Sequence, residues 1–123
     1  MSDLSFINCP DAIAILKNKK NNVAFIDVRK RKTYVQQFAF GAINCPVNRF
    51  RFIIQDLVPD PSTYLLIIGA SKNERIKTSS VLKKKSFTNF HYIRDGYKAW
   101  SKAKLPMWAG EHTFCKAFGE WIE

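Results

Sequence analysis

The chain has 123 residues, 46% hydrophobic and 24% charged, with 20 Lys and Arg against 10 Asp and Glu for a formal net charge of +10. A chain of this length builds one core without help from metals or disulfides, and its composition excludes the disordered, collagen-like and disulfide-dense classes. The longest apolar stretch, residues 64–70, is seven residues, far short of the roughly 20 that cross a bilayer, so no membrane is expected.

In chain order, Pro10 to Asn18 reads as a helix, with Pro10 suited to the first helical position and Ile13 and Leu16 on one face. Val23 to Val28 reads as a buried strand, Thr33 to Phe38 as a short helix, and Ala42 to Asn44 as a short strand ahead of Pro46. Val47 to Leu57 is amphipathic and closed by Pro59 and Pro61, which predicts a helix. Tyr64 to Ile68 (YLLII) is the most hydrophobic run and is expected to be the central strand, because parallel strands covered on both faces read as continuous apolar residues. A loop from Gly69 to Glu74, a helix from about Arg75 to Lys85, a strand over Phe90 to Ile93 and a helix over Gly96 to Lys102 follow. This alternation predicts an α/β domain with a mostly parallel central sheet flanked by helices. The expected domain covers residues 1–106. Residues 107–123 form a C-terminal extension that either packs on the domain or leads to another module.

No basic region followed by an apolar run opens the chain, so a cytoplasmic setting is expected. Cys9, Cys45 and Cys115 form an odd set without a C-x-x-C pair, which predicts reduced thiols, no metal and no cofactor. Charge is concentrated. Residues 29–52 carry six basic side chains and no acid, and residues 69–104 carry ten against two. Such segments attract anions, an acidic protein partner or nucleic acid such as tRNA without choosing among them.

The unit that carries chemistry is the strand YLLII followed by Gly69, Ala70, Ser71, Lys72, Asn73, Glu74 and Arg75. A loop at the carboxyl end of a central parallel strand lies where ligands bind in open α/β sheets, and its N–H groups can converge on an anion. Lys72 and Arg75 add positive charge, Ser71 a hydroxyl, and Glu74 opposes. No base is placed by sequence to activate Ser71, since His91 and His112 lie far along the chain, so Ser71 reads as a turn residue.

The motif order resembles the rhodanese-like family of sulfurtransferases and their phosphatase relatives over nearly the whole chain. Phe25-Ile26-Asp27-Val28-Arg29 is similar to the family's strand ending in Asp-Val-Arg. Tyr34 followed by Gly41-Ala42-Ile43-Asn44-Cys45-Pro46 is similar to its Tyr…Gly-Ala-Ile-Asn-x-Pro segment. Arg94-Asp95-Gly96-Tyr97-Lys98-Ala99-Trp100 with Leu105-Pro106 is similar to its Asp-Gly-Gly-x-x-x-Trp…Leu-Pro ending. The resemblance implies a three-layer domain in which Asp27, Arg29, Gly41, Gly96 and Trp100 are structural, and in which the loop holds sulfate, phosphate or thiosulfate.

The family's chemistry needs a Cys as first residue of the loop, where converging N–H groups lower the thiol pKa. That position is Gly69, which implies a domain without its nucleophile, kept as an anion- or protein-binding, regulatory module. The alternative is sulfur transfer through Cys45, Cys115 or a partner's thiol. Replacing Gly69 with Cys is expected to create a reactive thiol if the loop keeps its cradle. Thr33 stands where the family has an acid, which implies that Arg29 loses its partner, Gln37-Phe38 stand for its Gly-His, and Asp95 stands for the first Gly of its Gly-Gly pair. Lys116 to Glu120 resembles a segment that follows rhodanese modules in tandem arrays, which implies a neighbouring rhodanese module.

Overall fold

The computed structural model describes residues 5–18 and 22–108. Phe6–Ile7 (β1) leads into the helix Cys9–Lys17 (α1), which has Pro10 and Asp11 in its first turn and Lys17 in its last, as the helix dipole favours. Val23–Asp27 (β2), Arg31–Gln36 (α2), Phe38–Ala39 (β3) and Ile43–Asn44 (β4) follow, then a 3-10 turn at Val47–Arg49 that runs into Phe50–Leu57 (α3). The remaining elements are Tyr64–Ile68 (β5), Lys72–Lys84 (α4), Phe90–Ile93 (β6), Gly96–Lys102 (α5) and Met107–Trp108 (β7).

Five strands form one parallel sheet in the order β1-β6-β5-β2-β4, which puts β5 at its centre as its unbroken apolar sequence requires. Side chains alternate across it. Phe25, Leu66, Ile68 and Ile93 pack with Cys9, Ala12 and Trp100 under α1 and α5. Ile26, Leu65, Ile67 and Tyr92 pack with Phe50, Ile54, Leu82 and Phe87 under α3 and α4. Each face of the sheet therefore has its own core, and the result is a three-layer α/β domain.

The structure departs from the sequence reading in three places. The helix expected from Arg75 begins at Lys72, because Ser71 and Glu74 form a capping box: Ser71 Oγ accepts the Glu74 N–H, and Glu74 Oε1 accepts the Ser71 N–H at 2.9 Å. The helix expected over 33–38 ends at Gln36, and Phe38–Ala39 pairs antiparallel with Met107–Trp108. Finally, β1 has no counterpart in the sequence reading. Its two residues are ordered by pairing with Tyr92 and Ile93.

Candidate functional site

The carboxyl ends of the parallel strands open on a cleft of about 590 Å3. Its walls are Gly69, Ala70 and Ser71 after β5, Glu74 and Arg75 from α4, Arg94 to Tyr97 after β6, and Phe6 from β1. Lys72 and Asn73, expected in the loop, instead sit exposed on the first turn of α4 and outside this lining, because the helix has already begun. Gly69, Ala70, Ser71, Glu74 and Arg75 are brought together. Glu74 is turned back onto the Ser71 N–H, so the capping box occupies both of its oxygen-to-amide links within the loop.

Two guanidinium groups converge on the cleft from different elements. Arg75 and Arg94 lie over the Phe6 ring at 5.2 and 5.1 Å. Arg75 also donates through Nη1 to the Ala70 carbonyl at 3.0 Å, while its buried Nε has no partner. Glu74 and Asp95 also line the cleft, but among the described residues neither forms an ion pair with these guanidinium groups, whose planar N–H forks suit an oxyanion. Sequence reasoning missed Arg94 and Phe6. Arg94 directly follows a parallel strand, and the carboxyl-end rule points there, whereas a two-residue strand such as β1 leaves no periodic signal.

Beside the cleft lies a closed polar corner built on Asp27. Its carboxylate is fully buried and accepts the Arg29 N–H at 2.8 Å, the Arg29 Nε and Nη2 groups, and the Tyr97 hydroxyl at 2.6 Å. Tyr97 Oη in turn accepts the Ala39 N–H at 2.7 Å. The Arg29 guanidinium also donates to the Gln37 carbonyl and lies 3.8 Å from the Tyr97 ring. Arg29 has therefore not lost its partner: with Thr33 unable to serve, it folds back on the acid two residues earlier, at 2.9 Å. Burial first, and then the Asp27 charge, push the Tyr97 phenol far up.

Gly69 sits against this corner with φ +89°, a conformation that L side chains rarely adopt. A Cβ there would stand 2.7 Å from Arg29 Cγ and 3.3 Å from Asp27 Oδ1. The condition attached to a cysteine at position 69, that the loop keeps its cradle, therefore requires the Arg29 side chain to shift first. Asp95 adopts φ +60°, which explains why a residue tolerant of left-handed backbone is needed there.

The described cysteines are poorly suited to nucleophilic work. Cys45 is completely buried and burial pushes its thiol up to about 12, while Cys9 is raised by burial and then by the Asp95 charge. His91 is stacked on Tyr64 at 5.1 Å and pairs in register with Leu66, away from Ser71. Burial lowers its pKa. Gly41 has φ +91°, and Trp100 is buried on Phe25 with its Nε1 donating to the Pro106 carbonyl. Cys115, His112 and the Lys116 to Glu120 segment lie outside the described residues. Among the described residues no group of His, Cys, Asp or Glu is placed to hold a metal, and no helix is long and apolar enough to cross a membrane.

Comparison with the curated proteins finds no match. Solved structures do match. A thiosulfate sulfurtransferase from Pseudomonas aeruginosa superposes with a TM-score of 0.81 at 22% identity over 98% of this chain, which spans only 23% of that one. The Alr3790 protein from Anabaena sp. gives 0.75 at 18% identity, covering 85% of this chain and 92% of that one. A rhodanese with anions from E. coli gives 0.57 at 25% identity, covering 72% and 99%. These likenesses establish the fold. The Rhodanese-like domain model matches residues 11–103, the span that contains the sheet's β2 to β6 and the cleft at its carboxyl edge, and the chain belongs to the rhodanese-like family.

Proposed function

We propose that this domain carries no sulfur-accepting thiol of its own and works as a binding module that holds an oxyanion in the cleft and meets a protein partner. The observation that carries the reading is Gly69: its positive φ and the Arg29 side chain packed on it leave no room for a nucleophile at the head of the loop. Arg75 and Arg94 supply the positive charge for sulfate, phosphate or thiosulfate. One solved structure that this chain resembles is described as a rhodanese with anions. The chain spans 23% of the Pseudomonas sulfurtransferase, and a neighbouring rhodanese module, which the Lys116 to Glu120 resemblance implies, is the protein partner we propose.

Intact mass measurement after incubation with thiosulfate tests the first half. No added sulfur is expected; a sulfur mapped to Cys115, or transfer that needs a partner's thiol, would establish the sulfurtransferase reading instead. Calorimetric titration with sulfate, phosphate and thiosulfate tests the second half. Joint replacement Arg75→Gln and Arg94→Gln is expected to weaken binding by at least about tenfold, since charged hydrogen bonds contribute roughly 1.5–3 kcal/mol each. Unchanged affinity would move the anion elsewhere.

A further inference from the structure

A second concavity, of about 1170 Å3, shares Glu74 with the first and lies between the 3-10 turn with α3 on one side and the first turns of α4 on the other. It exceeds the roughly 300–1,000 Å3 of clefts that enclose small ligands. Its floor is aliphatic: Val47, Ile53 and Val81 are half-buried against the α3–α4 core. Ile76 stands at its lining with 51% of its surface exposed.

The lining is also strongly basic, with Lys30, Arg31, Arg49, Arg51 and Lys77. Glu74 is the one acid on it, and its carboxylate is already committed to the Ser71 N–H. Lys30, Arg49 and Lys77 make no ion pair with a described residue. The charges of Lys30, Arg49 and Lys77 thus have no ion-pair partner among the described residues around an apolar floor, an arrangement that complements a ligand with an aliphatic centre and acidic flanks.

From this the geometry points to a docking site for an acidic peptide segment of a partner protein, with an aliphatic side chain seated on Ile76, Ile53 and Val81 and carboxylates paired with Lys30, Arg49 and Lys77. The inference deepens the protein-binding half of the proposed function and concerns a concavity whose lining shares Glu74, and no other residue, with the anion cleft. Nucleic acid fits less well. Single strands are gripped by exposed aromatic rings interleaved with positive charge, yet the groove's aromatic residue, Phe50, is 1% exposed. The exposed Phe52 lies outside the lining, with the Arg51 guanidinium over its ring at 4.7 Å.

The test is fluorescence polarisation on the full chain with a fluorescein-labelled peptide rich in Asp and Glu around a central Leu. Matched probes replace that Leu with Asp, replace the acids with amides, or substitute oligouridine of equal charge. Saturable binding is expected that weakens about tenfold or more in Arg49→Glu with Lys77→Glu, and likewise in Ile76→Ser or with the Leu-less peptide. Lys83→Glu with Lys84→Glu, at the other end of α4, removes the same net charge outside the groove and is expected to leave affinity within about twofold, as for charges remote from an interface. Equal losses from both charge-reversal pairs, indifference to Ile76 and to the central Leu, or tighter binding of oligouridine would overturn the proposal. Circular dichroism of each variant separates lost binding from lost fold, and the sulfate titration of the Gly69 cleft reports independently on the anion reading.

Discussion

Two neighbouring corners at the carboxyl edge of the sheet treat charge in opposite ways. Around Asp27 no buried side-chain polar atom of the described residues lacks a partner: one buried carboxylate gathers the Arg29 backbone, the Arg29 guanidinium and Tyr97, and Tyr97 gathers Ala39. Around Phe6 two guanidinium groups face the cleft with no carboxylate paired to them, and one buried nitrogen has no partner at all. The first corner is closed on itself; the second keeps an unpaired cationic wall on the cleft. The difference lies in the chemistry available locally, since the same residue type, arginine, serves in both.

Breaking the closed corner has the largest expected effect. Asp27→Ala strands a half-buried guanidinium and removes the acceptor of several donors, so it should cost roughly 3–5 kcal/mol, measured by urea denaturation. Arg75→Gln with Arg94→Gln, in the open corner, should stay within about 0.5 kcal/mol in the same assay. Comparable losses from the two would abolish the contrast. Next comes Gly69→Ala, expected to cost about 1–3 kcal/mol because the new Cβ meets both an unfavourable φ and the Arg29 side chain. A double-mutant cycle with Arg29→Ala divides these contributions: recovery of much of the loss identifies the contact, and no recovery identifies the backbone.

The smallest effect concerns His91, whose Nδ1 is the other buried nitrogen without a partner. Burial lowers its folded pKa below the ordinary 6.5, so the unfolded chain takes up the proton first. Its contribution to stability is therefore complete above about pH 6.5 and is lost as pH falls toward and through the folded value. His91→Phe keeps the stack on Tyr64 and should flatten the decline between neutral and mildly acidic pH. An unchanged pH profile would show that this nitrogen is not the cause.

Much of this arrangement could be read before any coordinates. β2, β5 and β6 announce themselves as apolar runs, and the strand-loop-helix sequence around Gly69 locates the cleft. The start of α4 was also present, in the Ser71 to Glu74 spacing of a capping box. What escaped were features made by partners distant in the chain. β1, β3 and β7 have two residues each and exist only through pairing, so no periodicity marks them. The Asp27–Arg29 pair escaped because it exists only where the strand's end turns the arginine back on the acid. Arg94 and Arg75 come to share one ring only through Phe6, a residue distant from both in the chain.

The short ribbon of β3 and β7 links distant parts of the chain. Pro106 accepts hydrogen bonds from the Phe40 backbone and the Trp100 indole, Met107 lies opposite Ala39, and Ala39 is itself bonded to Tyr97, which holds Asp27. Strand pairing at Ala39 and the one phenol of Tyr97 therefore connect β7 to the buried carboxylate against which Gly69 and Arg29 pack, so a segment late in the chain is tied to the head of the loop.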